Sequence, residues 1–592
     1  MINTNRSKKI VTLFLLIIIG FIIFLSVMFY TAVRDRHLPS KYTSESTKAQ
    51  RGNIISQDGF HIATTRKLYK ATVNTRNIDP NKKELFIQLF SIYSGVPQES
   101  IRKKLNSRKG TVVLSYLIDP KSAQYLKTLA FELRRLRVFV EYENSEGRTI
   151  LHGLNIIESG ETREYPYGKV LTPLIGYPRK MEVEGYTRIH GIKGLEKQYE
   201  EELNPIQNGS QRAPRDVNGY MILNKKSFTK REIDGLDVKL NIPLTLQVRI
   251  ERVLKQMRKT LDAQEIIAVV MQSDSGKIIS LASSNQFYPK AIRKRDYPSL
   301  NTNPIEYSFE PGSVLKPITL SLLLELQRIN PYDLVFCHNG RYKLGRKVIT
   351  DEHKYDWLSA ENIIVHSSNI GIAKLAQKLK GFEFHDGLVA FGLTQKSGID
   401  LPYEKKGSIP SMKQLDASIY KATAAYGYGM RANLMQLVKA YNAFNNNGIE
   451  VSPRVAEALI DELGTIIPIE NDEERLVIST STAHIMKKIL IKTVNEGTGK
   501  KTITPGLEIG GKTGTAHIAK GGRYINRYNT SFIGFANDED HRYTIGVTVF
   551  DPKKVYFASQ TAVPTFKKII DTMINEEYLI PKKTHDRHNN NE

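Results

Sequence analysis

Three short groups of hydroxyl, amine and amide side chains stand in one order along the chain and could together perform acyl transfer. They are Ser313-Val314-Leu315-Lys316, Ser367-Ser368-Asn369 and Lys512-Thr513-Gly514-Thr515-Ala516. A serine hydroxyl is a poor nucleophile until a base takes its proton, and a lysine amine can be that base once burial or nearby positive charge lowers its pKa. Ser-x-x-Lys by itself arises by chance, as an N-cap serine followed by a surface lysine. Its context here is different. Glu310-Pro311-Gly312 predicts a turn, and the apolar run from Val314 to Gln327 predicts a helix whose first turn tolerates Pro317. Ser313 and Lys316 then share a helix face, which puts the amine within reach of the hydroxyl.

Lys512 is the natural source of the positive charge, although a solvated strand lysine is the plain alternative. The run Gly510-Gly511-Lys512-Thr513-Gly514-Thr515 is bare of bulky side chains, as a strand would be if an extended peptide lay along it through main-chain hydrogen bonds. Thr513 and Thr515 would offer hydroxyls to a carboxylate. Ser367-Ser368-Asn369 precedes the helical run from Ile370 to Lys380 and reads as its N-cap, a role compatible with facing a site.

These groups need a scaffold that gathers distant segments. From about residue 235, a strand at 236–242 leads into an amphipathic helix ending at 261, and two β-rich runs flank the Ser273-Asp274-Ser275-Gly276 turn. Helical stretches follow to about residue 492, then strands at 509–517, 529–537 and 543–551 and a helix over 561–579. The pattern predicts a sheet assembled from both ends of a domain, with helices inserted between. Upstream, Asp58-Gly59 predicts a hairpin turn, the spacing predicts helices over 83–95 and 122–136, and 111–118 reads as a strand. We therefore expect a tail over 1–10, a membrane helix over 11–30, a linker over 31–48, an α+β pedestal over 49–234, a catalytic domain over 235–578 and a flexible end over 579–592.

Composition narrows the function classes. At 592 residues, with 40% hydrophobic and 25% charged residues, the chain has ample material for two or three folded units. The net charge of +24 is spread along the chain without a recognition motif, so we expect no nucleic-acid partner and favour a polyanionic surface, either lipid headgroups or an envelope polymer. The lone Cys337 excludes an intramolecular disulfide, and no Cys/His cluster has ligand spacing. Asp351-Glu352-His353 carries one histidine and no second ligand in register, so neither metal nor cofactor is expected. The span lacks a small-residue cleavage site and reads as a retained anchor. Arg6, Lys8 and Lys9 precede it while Arg34 and Arg36 follow it, which leaves its orientation open.

The three motifs in this order resemble the signature shared by serine β-lactamases and penicillin-binding proteins, with Ser-Ser-Asn as the variant of the middle one. The chain resembles class B penicillin-binding proteins over nearly its whole length. Arg51-Gly52-x-Ile54, Arg163-x-Tyr165-Pro166-x-Gly168, Leu174-Ile175-Gly176-Tyr177 and Gly191-x-x-Gly194-Leu195-Glu196 resemble pedestal motifs of that class, although Ser56-Gln57 stands where an Asp-Arg pair is common. Tyr426-Gly427-Tyr428-Gly429, followed by Gln436, resembles a signature of the helical region.

The resemblance implies an α/β (α+β) transpeptidase domain of the penicillin-binding and serine β-lactamase type, an antiparallel sheet flanked by helices, carried on the pedestal and one membrane helix. It implies that Ser313 attacks the penultimate D-Ala of a peptidoglycan stem, with Lys316 as base and the Ser313 and Thr515 amides as oxyanion hole. Ser367 would relay a proton, Lys512 would complete the catalytic set, and Asn369, Thr513, Gly514 and Thr515 would hold substrate. β-Lactams would be trapped on Ser313. The catalytic domain would face the periplasm from the inner membrane, beside a polytopic glycosyltransferase and other divisome membrane proteins. Lys512-Thr513-Gly514-Thr515-Ala516 and the modest pedestal favour septal over elongation synthesis. A soluble β-lactamase lacks span and pedestal, a β-lactam sensor would carry several spans or a signalling domain, and a silent scaffold would show a broken motif.

Overall fold

A membrane-crossing backbone must satisfy its own hydrogen bonds, and the opening apolar run does so as one continuous helix, Asn3–Val33, long and apolar enough to cross a membrane. The computed structural model describes residues 3–33, 41–143, 149–183, 185–215, 221–470 and 474–582. The helix belongs to a small unit made of residues up to 48 together with 208–232. Within that unit Tyr42–Thr47, Gly209–Pro214 and Phe228–Lys230 form a three-stranded antiparallel sheet. The linker expected over 31–48 is corrected accordingly: 42–47 is a strand, while 34–40 lies outside the described residues, as does 583–592 of the expected tail. The strand Tyr42–Thr47 buries no face, so it shows no apolar alternation; ladder hydrogen bonds alone define it.

The larger unit comprises 49–207 and 233–592. In its pedestal part, helices Lys83–Ser94, Gln98–Ser107 and Pro120–Arg135 lay their apolar stripes on strands His61–Asn74, Thr111–Ile118 and Asn155–Glu164, around Phe86, Phe90, Leu114 and Leu126. The pedestal sheet does not stop at residue 235. Asp237–Leu240 pairs in parallel with Ile54–Ile55 on one side and antiparallel with Ala456–Ile460 of the catalytic part on the other.

Beneath this junction lies a buried ionic hub built from three of the pedestal motifs. Arg51 donates from Nε and Nη2 to Glu196 Oε2 at 3.1 and 3.0 Å, and Arg163 donates from Nε to Glu196 Oε1 at 2.7 Å. Arg51 also reaches Glu200, at 2.8 Å. Burial alone would raise the Glu196 pKa, yet the guanidinia of Arg163 and Arg51 hold it below its usual range.

The catalytic part is a five-stranded, wholly antiparallel sheet of β1 (Glu265–Gln272), β2 (Ile278–Ser283), β3 (Glu508–Lys520), β4 (Arg523–Asn537) and β5 (Arg542–Phe550), in the order β2-β1-β5-β4-β3. The site depends on helices α1 (Leu244–Leu261), α2 (Lys316–Glu325), α3 (Asn369–Ala376), α4 (Leu434–Asn445) and α5 (Ala562–Asn575). β1 is apolar on both faces because both are covered. Ile266, Ala268 and Val270 pack with α1 and α5, while Ile267, Val269 and Met271 join the core that holds α2, α4 and the pedestal residues Ile54, Tyr165 and Leu195. That leaves β3 as the sheet edge next to α2.

Glu196→Ala strips two buried guanidinia of their shared carboxylate and is expected to cost about 3 to 5 kcal/mol. Circular-dichroism melting of the detergent-solubilised chain checks this; an unchanged melting temperature would contradict the hub's structural role.

Candidate active site

Ser313 sits in a short 3₁₀ turn, Gly312–Leu315, that runs into α2 with Pro317 in its first turn. Gly312 adopts φ +61°, a conformation that favours glycine, and donates its N–H to Gly427 O at 3.1 Å. From behind, the buried Tyr441 hydroxyl donates to Val314 O at 2.6 Å. The turn leans on β3 so closely that a Cβ at Gly514 would meet Val314 Cγ1 at 2.9 Å and Pro311 O at 3.0 Å. Gly514 therefore makes room for the nucleophile's own turn. Gly510 and Gly511 are likewise filled from within: a Cβ there would strike the rings of Phe535 at 2.3 Å and Phe532 at 2.6 Å. The bare segment thus owes much of its bareness to the protein's own packing rather than to a docked peptide.

Lys316 and Lys512 are both fully buried, and their amines meet at one hydroxyl. Lys316 Nζ donates to Ser367 Oγ at 3.2 Å and also to the Ser367 carbonyl; Lys512 Nζ donates to Ser367 Oγ at 2.9 Å. Ser367 holds φ +60°, a strained conformation for a residue with a side chain, and the two lysines make use of the orientation it gives. The expected direct contact of Lys316 with Ser313 is not formed: among the described residues the Ser313 hydroxyl has no hydrogen-bond partner. The amine donates instead to the carbonyl and the hydroxyl of Ser367.

The middle motif is shaped by a residue outside it. Asp351 Oδ1 accepts the N–H groups of Asn369 and Ile370 at 2.6 and 3.0 Å, and Oδ2 accepts the Ser368 hydroxyl. Ser368 in turn caps α3 by accepting the Gly371 N–H at 2.8 Å, so cap and site coexist. Asn369 Nδ2 donates to Thr350 O at 3.0 Å, on the hairpin that ends beside Asp351. Thr513 Oγ1 lies 2.7 Å from Thr498 Oγ1, and Thr515 Oγ1 accepts the Ala558 N–H at 3.3 Å. Thr513 and Thr515 line a cavity of about 530 Å³ whose other walls include Glu352, His366, Thr498 and Lys500. Of the eight predicted site residues, Ser313 stands in the nucleophile turn, Lys316 opens α2, Ser367 and Asn369 flank the N-cap of α3, and Lys512, Thr513, Gly514 and Thr515 lie on the edge strand β3.

Residues 266–571 match the family model described as the penicillin binding protein transpeptidase domain, and 46–240 match the penicillin-binding protein dimerisation domain. The chain belongs to the penicillin-binding proteins. Its pairing of a dimerisation with a transpeptidase domain is that of class B members. It is 27% identical to stage V sporulation protein D of Bacillus subtilis, over 90% of this chain and 79% of that one. It is 26% identical to the peptidoglycan D,D-transpeptidase FtsI of Buchnera aphidicola from Schizaphis graminum, over 97% and 94%. The crystal structure of penicillin-binding protein 3 of Mycobacterium tuberculosis complexed with aztreonam shares the fold, with a TM-score of 0.65, 21% identity and coverage of 91% and 98%.

The electrostatics of this penicillin-binding protein follow from burial. Desolvation drives the Lys316 amine down to about 7, against the opposing pull of Asp351 and Glu352. Lys512 is driven well below its ordinary value by desolvation first and by the charge of Lys316 second. An amine with such a pKa can accept a hydroxyl proton at neutral pH. Asp351, Tyr441 and Thr498 escaped the sequence reading. Asp351 was visible only as part of an unfulfilled metal pattern, and the other two carry no local motif.

Deprotonation of Lys316 should therefore govern the pH dependence of acylation. A lowered lysine pKa means the reactive amine is populated above the inflection and lost below it, so the penicillin acylation rate is expected to fall about tenfold per pH unit beneath about 7. Stopped-flow acylation with a fluorescent penicillin measures this; a flat profile down to pH about 5.5 would contradict it.

Proposed function

We propose that this penicillin-binding protein is a peptidoglycan D,D-transpeptidase that cross-links stem peptides through an ester on Ser313. The carrying observation is the Ser367 hydroxyl, which lies within hydrogen-bond reach of both Lys316 Nζ and Lys512 Nζ and so ties the three motifs into one cleft. The Ser313 hydroxyl gives its proton to neutral Lys316 as its oxygen attacks the penultimate D-Ala carbonyl. The Lys316 proton then passes through Ser367 to the departing amine of the terminal D-Ala. An amine from a second stem attacks the ester, and the same groups run in reverse to restore the hydroxyl.

Main-chain geometry supports a peptide on the open edge of β3. The His517 N–H points off that edge to the Tyr428 hydroxyl at 3.2 Å, and the Thr515 N–H, two residues earlier, points the same way. With the Ser313 N–H it forms the oxyanion hole, each donor being worth about 3 kcal/mol of barrier. Lys512, Thr513 and Thr515 receive the terminal carboxylate, Gly514 keeps the turn close, and Asn369 holds the stem amide. In this reading 49–234 is the pedestal and 235–578 the catalytic module, facing the periplasm from a single-pass inner-membrane anchor. The relative named peptidoglycan D,D-transpeptidase FtsI supports the cross-linking activity, and the reading places this chain in septal synthesis beside a polytopic glycosyltransferase and other divisome proteins. The aztreonam complex of the neighbouring fold supports β-lactam capture on Ser313.

Fluorescent penicillin should label the wild-type chain, fail on Ser313→Ala, and label Lys316→Ala at least about a thousandfold more slowly. Label persisting on Ser313→Ala would overturn the nucleophile. Depletion of the protein should yield filaments under the septal reading, whereas the rounding of rod-shaped cells would assign it to elongation.

A further inference from the structure

The excursion over 208–232 takes no part in the chemistry, yet it shares a compact unit with the membrane helix. Tyr42–Thr47 is the first strand after that helix. Tyr42 follows Val33 by nine residues, so the chain can carry it no farther than about 30 Å from the helix end. The end of the small sheet joined to the anchor is therefore the one where Tyr42 stands.

Register shows what else stands there. Tyr42 pairs with Pro214 and Thr47 with Gly209, so the second strand runs back toward the anchor. Arg215 donates its N–H to Lys41 O at 3.1 Å, and Ile222 returns to donate to Pro214 O at 2.7 Å. A tight turn follows. The Asn224 N–H donates to Ser227 Oγ at 2.8 Å, the Ser227 N–H to Asn224 O at 2.9 Å and the Lys226 N–H to Asn224 Oδ1 at 2.8 Å. Lys225 and Lys226 are the two residues inside this turn, exposed and in no ion pair among the described residues.

Apolar side chains flank the two lysines. Ile222, Leu223 and Phe228 are 46, 64 and 64% exposed. An ammonium pair beside exposed hydrocarbon suits the boundary between phosphate headgroups and acyl chains. Arg212 lies over the Tyr42 ring at 5.3 Å, which adds a cation and an interfacial aromatic at the same end. Opposing charge is segregated from it: a Cβ at Gly209, on the far end, would meet Glu232 Cβ at 3.2 Å, and Glu45 stands in mid-strand opposite Gln211. The anchor also makes docking intramolecular, so a small surface suffices.

We propose that the turn from Ile222 to Phe228 docks on anionic phospholipid headgroups of the leaflet from which the anchor emerges, Lys225 and Lys226 meeting phosphates while Ile222, Leu223 and Phe228 enter the acyl boundary. This rests on the membrane-anchor reading above and is independent of the transpeptidase chemistry. Lipid charge then sets how firmly the anchor's own unit stands on the bilayer.

The test uses the full chain carrying Leu223→Cys, labelled with an environment-sensitive nitrobenzoxadiazole dye and reconstituted in lipid nanodiscs. Cys337, the one native cysteine, is buried and leaves the label selective. In discs containing phosphatidylglycerol the dye is expected to shift to the blue and to be quenched by doxyl-labelled lipid; in discs of phosphatidylcholine alone it should report water. Lys225→Gln with Lys226→Gln should lower the docked-to-free ratio about twentyfold, about fivefold per lysine. Sodium chloride at about 1 M should release the unsubstituted turn in the same way. Phe228→Cys, labelled likewise, should repeat the pattern, and fluorescent penicillin should label Ser313 equally in every variant. A dye that reports water in phosphatidylglycerol discs at both positions, or lipid contact indifferent to lipid charge and to the two lysines, would overturn the inference, leave the turn to a protein partner and keep the anchor reading. A chain that stays out of the discs overturns the anchor reading, and the inference falls with it.

Discussion

Two amines removed from water and directed at one hydroxyl form the constraint on which the rest of the catalytic part depends. Lys316 and Lys512 have lost their hydration, and the Ser367 hydroxyl is the partner they share. Two ammonium ions in that position would repel each other at low dielectric, so the pair resists holding both protons near neutrality and its titration belongs to the pair. A basic amine is thereby held ready beside a serine whose hydroxyl is unengaged. Solvent entry would restore the ordinary lysine pKa and abolish the base, so the packing of three distant segments sets the chemistry.

That packing is enforced by close approaches. Gly514 admits Val314, Gly427 admits the backbone of Gly312, and the Tyr441 hydroxyl ties the nucleophile's turn to α4. Asp351 does for the middle motif what Tyr441 does for the first, by taking the free N–H groups at the start of α3 and so fixing the turn that holds Ser367 at positive φ. None of these residues need touch the substrate. Each removes a freedom that would let water or a wrong rotamer between the amines.

The motifs, the apolar strands and the amphipathic helices were legible because each announces itself within a few residues. The turn at Gly312, Pro317 in the first turn and the N-cap before Ile370 are local chemistry, and they form as read. What escaped was relational. Nothing near Asp351 indicates that its carboxylate will meet Asn369, and nothing at Gly510 or Gly511 indicates that Phe535 and Phe532 will fill their places. Tyr42–Thr47 escaped for the opposite reason, since a strand without a buried face leaves no periodic trace. The i, i+3 argument concerned Ser313 alone, whereas the Lys316 amine donates to the carbonyl and hydroxyl of Ser367, 51 residues along the chain.

The pedestal is part of the same constraint. The segment that carries its ionic hub also carries Lys193 and Tyr199. Lys193 pairs with Glu306, and the Tyr199 hydroxyl donates to Asp400 at 2.6 Å, whose carboxylate accepts the N–H groups of Val455 and Ala456. Glu306 begins the stretch that passes through Phe309, bonded to Ala432 O at 2.9 Å, straight into the nucleophile's turn. Asp237–Leu240 is hydrogen-bonded on both sides of the junction, so the strand itself joins the catalytic module to its base. The pedestal motifs therefore help to set where Ser313 stands: Glu196 compensates two buried guanidinia, the guanidinia hold the short helix Gly194–Gln198 and its C-cap Tyr199 in place, and that segment fixes the contacts from which the nucleophile's segment departs.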